Sequence, residues 1–253
     1  MKKTIISHFY NEEYLLPHWL KYHKKYFDYG ILIDYNSTDR SVEIIKEICP
    51  DWKVVTSRNS YFEAVAVDSE VSELESEIDG FKICLNTTEF LLGKYDILNY
   101  ITNPTQFIIP QYLMVDMPDT EFTEIKEDLI KERHWGQSPF ENGFYRFGRS
   151  MHNFNLDYVK YLGGAGRHFN TPQNQHIYKP YTTDFAILYY GYCPLNEITL
   201  KRKLSFKSKL NPNSNPGDDL DHKRTREQFI DFNVNARPTA KNLSDLINHY
   251  LNN

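Results

Sequence analysis

The sequence predicts an α/β fold: a mostly parallel open sheet with helices on both faces, followed by an irregular region and C-terminal helices. Three observations predict it. Short apolar runs alternate with helix-spaced apolar patterns through the first hundred residues. Each run ends on a cluster of small polar and acidic residues. No repeat or long low-complexity tract interrupts the alternation. Strands separated by helices require crossover connections, which make the strands parallel and lay helices over the sheet.

Residues 4–10 read as a short buried strand that ends at the polar corner Asn11-Glu12-Glu13. Leu15, Leu16, Trp19, Leu20, His23 and Phe27 then recur at helical spacing, with Pro17 tolerated in the first turn. Residues 30–34 form a second strand that delivers Asp34 to its C-terminal end. Thr38 or Asp39 caps the next helix, whose stripe is Val42, Ile45 and Ile48, and Pro50 stops it. Residues 52–56 are a third strand. Residues 62–78 read as a helix with Val67, Val71, Leu74 and Ile78 on one face and acids on the other, and residues 81–85 as a fourth strand.

The second half is less regular. Residues 107–117 read as a long strand in which Pro110 marks an edge or a bulge. Residues 133–183 are rich in Gly, Asn, His and Arg, with strand-like pieces near 144–147 and 158–161. Residues 184–193 form the last strand, and helices close the chain at about 195–209, 223–232 and 240–251. Residues 211–221, with two prolines and a glycine, read as a mobile loop or lid. We expect one domain over residues 1–253, dividing into halves at about residue 105.

Composition narrows the function classes. A 253-residue chain with 40% hydrophobic residues fills a sizeable core, and a net charge of −5 argues against a nucleic-acid partner. The basic residues Lys201, Arg202, Lys203, Lys207 and Lys209 nevertheless crowd one segment, where a phosphate-bearing ligand would be met. The 19 tyrosines and 16 phenylalanines suit stacking on sugars or bases, and equally suit ordinary packing. Cys49, Cys84 and Cys193 are odd in number and scattered, which indicates neither a disulfide framework nor a cysteine zinc site. His8 and Asn11 interrupt the apolar N-terminal run, so it does not read as a secretory leader. No segment reaches the roughly 18 apolar residues of a membrane span. A cytoplasmic location is expected.

Ligands of open α/β sheets bind outside the carboxyl ends of the strands. Three polar corners fall there in order: His8-Phe9-Tyr10-Asn11-Glu12-Glu13, Ile33-Asp34-Tyr35-Asn36-Ser37-Thr38-Asp39 and Asn86-Thr87-Thr88-Glu89-Phe90-Leu91. Over residues 4–92 this pattern resembles the GT-A glycosyltransferases of the family-2 type, which carry an N-E-E corner, a D-x-x-S-T-D turn and an acidic D-x-D corner. The resemblance implies a Rossmann-like GT-A domain whose first half, about 1–105, binds a nucleoside-diphosphate-sugar and whose second half, about 106–253, holds the acceptor. It implies transfer of a sugar to a glycan, lipid-linked or protein acceptor, with inversion, in glycan biosynthesis.

On this resemblance Tyr10 and Glu12 border the base and ribose, and Asp34 accepts a hydrogen bond from one of them. Asn36 lies in the same pocket while shaping the turn. The alternative reading of Glu12 and Glu13 is a solvated helix start favoured by the macrodipole. Arg58 would meet the pyrophosphate and Asp68 the nucleotide; the alternative for both is a surface charge. The third corner departs from the pattern. Where the family holds Mn or Mg on D-x-D, this chain has Asn86-Thr87-Thr88 with Glu89 as the one carboxylate. Thr88 is retained as a donor contact, and Glu89 as catalytic acid and metal ligand, with His168 as a further metal ligand or substrate contact. A cationic lid of Lys207, Lys209 and His222 is the alternative means of offsetting leaving-group charge. Asp184 is the first candidate for the base that deprotonates the acceptor hydroxyl, and Asp116 the second. Arg146, Arg149 and His152 are candidates to hold the acceptor or the donor phosphate, against a plain strand. Two rival functions remain: a sugar-nucleotide-binding protein of the same fold without catalysis, and a nucleotidyltransferase, although the first corner lacks that class's Gly- and Lys-rich phosphate loop.

Overall fold

The structure, a computed structural model, describes residues 1–139, 147–155, 184–213 and 223–252. The four expected strands of the first half are β1 (Lys3–Phe9), β2 (Tyr29–Asp34), β3 (Lys53–Thr56) and β4 (Phe81–Cys84). Helices α1 (Leu16–His23), α2 (Ser41–Ile48) and α3 (Ala64–Ser76) separate them. The strands pair in parallel in the order β3-β2-β1-β4. Their period-two pattern divides the core. Ile5 and Leu32 pack with Trp19 and Leu20 of α1 and Ile45 of α2 on one face. Ile6, Ile31 and Ile33 pack with Val67 and Val71 of α3 on the other. The chain therefore has the α/β class expected of it, with helices on both faces.

Around this parallel core the sheet is mixed. Strands β5 (Glu89–Gly93), β6 (Gln106–Met114), β7 (Trp135–Gln137), β8 (Phe147–His152), β9 (Phe185–Tyr189) and β10 (Lys241–Asn242) extend it to ten strands. β8 lies antiparallel between β4 and β6, and β5–β9, β6–β7 and β7–β10 are also antiparallel. The sheet is parallel at its core, and most of the later strand pairs are antiparallel. Two reversals return β6 to the direction of β1, and β9 runs parallel to β6. The C-terminal ends of β1, β2, β4, β6 and β9 thus face one edge. Pro110 sits at the register shift between Ile109 and Pro110, the bulge its missing N–H allows, but within an interior strand. The strand pieces expected at 144–146 and 158–161, and most of the expected lid, lie outside the described residues.

Among the described residues four further helices follow: α4 (Leu129–Glu132), α5 (Glu197–Ser205), α6 (Arg226–Ala236) and α7 (Ser244–Leu251). The Asn196 side chain caps α5 by accepting from Thr199 N at 2.9 Å. Thr225 and Gln228 close a capping box on α6. Within the stretch read as one helix at 195–209, α5 gives way to a 3-10 turn over Phe206–Lys209. Leu200 of α5 and Phe229 of α6 bury a third cluster with Leu113, Val115 and Tyr192. Among the described residues no helix is long and apolar enough to cross a membrane.

Helix α1 is fixed to β5 by side chains as well as by packing. Trp19 Nε1 donates to Glu89 O at 2.9 Å, and Tyr22 OH to Leu91 O at 3.0 Å. His23 Nδ1 lies 2.9 Å from Trp19 O and His23 Nε2 3.2 Å from Leu91 N. Donation from Nδ1 and acceptance at Nε2 describe one neutral tautomer. Burial pushes the His23 imidazole down from 6.5 to about 3. The unfolded chain then takes up a proton between about pH 6.5 and 3 that the folded chain refuses. His23 therefore contributes stability above pH 6.5 that is lost as pH falls, by up to about 1.4 kcal/mol per pH unit. In urea unfolding between pH 7 and 5, His23→Gln should be less stable than the parent at pH 7 yet flatter with pH. Equal slopes would refute the burial of a neutral imidazole.

Candidate functional site

The first two polar corners form one hydrogen-bonded unit. β1 and β2 are in register at Phe9 and Asp34, so the chain leaves both strands side by side at their carboxyl ends. Asn11 and Asn36 both turn through the left-handed region, at φ 52° and 58°, which asparagine tolerates better than most residues. Asn11 N donates to Ser37 Oγ at 3.1 Å, and Thr38 N donates to Asn11 Oδ1 at 2.8 Å. Glu12 N donates to Ser41 Oγ at 2.8 Å. Asp39 accepts from Glu13 N through Oδ2 and from Ser41 N through Oδ1, both at 3.0 Å, so it serves the start of α2 and the first corner together.

Within this unit Asp34 is buried at the end of β2. Its Oδ1 accepts from Ser37 N at 2.8 Å, while its Oδ2 has no partner among the described residues. Asn36 is exposed at the tip of the turn. Tyr10 is half-buried, with Lys209 Nζ 4.6 Å from its ring centre and the Phe206 ring edge-on at 6.5 Å. Phe62 N donates to Lys209 O at 2.6 Å, which anchors the basic 3-10 turn beside the corner. Lys207 is exposed on that same turn.

Helix α5 adds a residue that the sequence reading left in a general basic patch. Arg202 Nη1 donates to Glu12 Oε1 at 2.6 Å, and each side chain is only 9% exposed. Glu12 is therefore not a solvated helix start. Arg202 Nε and Nη2 and Glu12 Oε2 are buried without hydrogen-bond partners among the described residues. Such groups are costly to leave unmet, at about 1–3 kcal/mol each. Periodicity gave no signal for this contact, because its partners are 190 residues apart.

Arg58 and Asp68 stand differently from the expectation. Arg58 is exposed and forms a two-point ion pair with Glu73 of α3, its Nη2 donating to Glu73 Oε1 at 2.7 Å. It is held on the surface rather than aimed at the corner. Asp68 is buried on α3, as are Glu70 and Glu75, so the acids of this helix do not simply line its solvent face. Glu70 receives Ser57 Oγ at 2.7 Å, Arg58 N at 2.9 Å and Asn59 Nδ2 at 3.1 Å, which fixes the loop after β3.

At the third corner Thr87 and Thr88 are buried, and Asn86 Oδ1 is buried with no partner among the described residues. Glu89 faces inward. Its Oε2 accepts from Arg149 Nε at 2.9 Å and Asn86 N at 2.7 Å, and its Oε1 from Gln111 Nε2 at 3.0 Å. Arg149 and Glu89 are 2% and 1% exposed. A divalent cation needs several oxygen ligands carrying negative charge. Here the single carboxylate is already neutralised and hydrogen-bonded, and the described residues hold no group of three His, Cys, Asp or Glu side chains able to bind a metal. The described residues of this corner do not offer the carboxylates that a metal ion needs, and the Glu89 carboxylate is engaged within the fold.

The base candidates are also displaced. Asp184 precedes β9, and its backbone carbonyl accepts from Lys94 N at 3.0 Å. It lines a cavity of about 430 Å³ with Ile101, Asn103, Thr105 and Phe107, at the entry of β6 and opposite the carboxyl edge. Asp116 is fully buried beside Arg133 at 2.9 Å and accepts from Thr120 Oγ1, Cys193 Sγ and Leu195 N. Burial pushes its carboxyl up, against these partners. His152 packs 3.2 Å from Glu75 in the core, near the N-terminal end of β4. His168, His222 and Arg146 lie outside the described residues.

No family model matches the chain, and a search of curated proteins finds no match. Solved structures similar to it include S. aureus TarS 1–349, at 13% identity and a TM-score of 0.43, covering 94% of this chain and 72% of that one. TarS 1–349 in complex with UDP-GlcNAc is similar at 12% identity and a TM-score of 0.40, over 94% and 72%. A 4-diphosphocytidyl-2C-methyl-D-erythritol synthase from Anaerococcus prevotii DSM 20548 is similar at 12% identity and a TM-score of 0.40, over 71% and 86%.

Removing one partner of a buried ion pair leaves an uncompensated charge, at about 3–5 kcal/mol. Arg149→Met should therefore destabilise the chain by about 3–5 kcal/mol in urea unfolding, and adding Glu89→Gln should recover part of that loss. An additive double variant would show that the two side chains do not act as a pair.

Proposed function

We propose that this chain is a GT-A-type glycosyltransferase that moves a sugar from a nucleoside diphosphate to the hydroxyl of a glycan, lipid-linked or protein acceptor, with inversion, in the cytoplasm. The observation that carries the reading is the single corner at the carboxyl ends of β1 and β2. There a half-buried tyrosine ring, a strand-end carboxylate with one open oxygen and a basic turn converge. In this reading Asp34 Oδ2 accepts from the ribose or base, Tyr10 packs on the nucleoside, and Lys207 and Lys209 face the diphosphate.

The reaction is one displacement at the anomeric carbon. The acceptor oxygen forms the new bond, the bond to the diphosphate breaks, and the nucleoside diphosphate leaves with the electron pair. The acceptor proton passes to a base or to solvent. Since the third corner does not fit a metal ion, Lys207, Lys209 and Arg202 offset the growing charge on the leaving group in this proposal. Neither Asp184 nor Asp116 has a part in it. The Asn86-Thr87-Thr88 corner and the engaged Glu89 also favour a second reading, a nucleotide-sugar-binding protein without transfer.

A thermal-shift panel of nucleotide sugars tests both, because a ligand that binds the folded state raises its apparent stability. At least one nucleotide sugar should raise the transition, and Asp34→Ala should weaken its binding about ten- to a hundredfold, the loss of a charge-assisted hydrogen bond of about 1.5–3 kcal/mol. Adding Mn²⁺ should change donor affinity by less than about twofold. No shift with any nucleotide sugar would end the assignment, and binding with neither hydrolysis nor transfer would select the second reading.

A further inference from the structure

Helix α5 lies along the first corner and runs in the opposite direction to it. Asn196 Nδ2, at the helix cap, donates to Tyr14 OH at 2.8 Å, Arg202 reaches Glu12, and the Phe206 ring at the far end meets the Tyr10 ring edge-on. Thr199, Arg202 and Phe206 follow one another at helical spacing, so they share one face of α5. That face carries polar atoms the fold leaves unmet. Arg202 Nε and Nη2, Thr199 Oγ1 and, across the seam, Glu12 Oε2 are all buried without a hydrogen-bond partner among the described residues. Buried polar groups are as a rule paired, so this group of atoms calls for a partner that the fold does not supply.

We infer that Arg202 binds a phosphate oxyanion through its Nε and Nη2 edge, and that Glu12 is the positioning residue for that guanidinium rather than a nucleoside contact. Nε–H and one Nη2–H leave the same edge of the planar group in parallel, spaced for two oxygens of one oxyanion. Nη1 is held by Glu12 Oε1 at 2.6 Å, which fixes the plane and leaves that edge free. A cation would meet only donors on this edge, a lone hydroxyl would satisfy one of the two parallel N–H groups, and an apolar group neither. A phosphate or pyrophosphate group satisfies both and keeps an oxygen for the Thr199 hydroxyl. Glu12 balances the charge of Arg202, and the excess positive charge that draws an anion here comes from Lys207 and Lys209 on the turn that follows. The unmet atoms are shielded from solvent, so the oxyanion reaches them with a local rearrangement of the side chains that cover them. In the transferase reading the oxyanion is the diphosphate of the donor. The inference rests on that reading for the source of the group and not for its chemistry.

Inorganic pyrophosphate is the probe, because it carries neither ribose nor base: weaker binding in a Glu12 variant cannot then come from a lost nucleoside contact. Titrated into the full chain, it should move the Arg202 Nε–H resonance saturably. By calorimetry, Glu12→Ala should weaken pyrophosphate at least about fivefold, while Glu12→Gln, which keeps an accepting oxygen for Nη1, should stay within about twofold of the parent. Charge alone predicts the reverse for Glu12→Ala, since removing a carboxylate favours an anion. Should Glu12→Ala fail to fold, Arg202→Lys, which keeps the charge without the fork, should weaken pyrophosphate at least about tenfold. The Arg202 resonance of the parent needs no variant. An Arg202 resonance that stays still at saturating pyrophosphate, unchanged or tighter binding in a folded Glu12→Ala or Arg202→Lys, or equal weakening in Glu12→Gln and Glu12→Ala would overturn the inference. Pyrophosphate engaging Arg202 while no nucleotide sugar raises the thermal transition would instead overturn the transferase reading alone.

Discussion

The backbone N–H groups that leave β1 and those that open α2 are satisfied reciprocally, and the rest of the candidate site depends on that exchange. A helix start leaves several donors unmet, and buried or half-buried donors must find acceptors. Here Ser37, Ser41, Asp39 and Asn11 supply them across the strand pair rather than along the chain. The exchange closes in one register only, because a shift of one residue would turn alternate side chains to the other face. Asp34 is therefore presented with one oxygen committed to the turn and the other left open. Its geometry follows from the parallel pairing of β1 with β2, not from a local motif alone.

Three buried ion pairs then tie distant segments to this frame: Glu12 with Arg202, Glu89 with Arg149 and Asp116 with Arg133. Taking both charges from water costs several kcal/mol per ion, so such pairs are weak grounds for net stability. What they impose is direction. Arginine's planar fork demands a defined approach of the carboxylate. Arg149 thereby fixes β8 against the start of β5, and Arg202 fixes α5 against the first corner. The pairs differ in how completely they are satisfied. Both Glu89 oxygens are occupied, whereas Arg202 keeps two buried nitrogen donors without partners among the described residues. The first pair is fully satisfied within the fold, and the second is not.

Much of this was legible in the sequence, and the reasons for the rest are physical. Strands β1 to β4 and helices α1 to α3 followed from apolar periodicity, because each buries one face against neighbours close in sequence. Asp34 and the Asn11 and Asn36 corners were legible from their position at strand ends. β5 escaped because its continuous buried run, Glu89 to Gly93, follows the polar Asn86-Thr87-Thr88 without a turn signal. The roles of Glu89 and Glu12 could not be read, since an acid in a loop and an acid in an ion pair look alike until the partner is known. Arg149 and Arg202, the partners that decide two of these roles, lie 60 and 190 residues away from them. The acids of α3 were misjudged for the same reason: Glu70 accepts from Ser57 Oγ, Arg58 N and Asn59 Nδ2 of the preceding loop.

The anchoring of α1 on β5 has a consequence for how the molecule behaves among its own copies. Among the described residues β5 pairs with β9 along one side only, and a strand with an unpaired side is a template for another chain. On that open side Glu89 O, Leu91 N and Leu91 O are taken by Trp19, His23 and Tyr22. Three aromatic side chains of one helix thus occupy the positions that an incoming strand would use. The helix acts as a guard against edge-to-edge growth, so a molecule that loses this contact exposes a sticky seam well before its core comes apart.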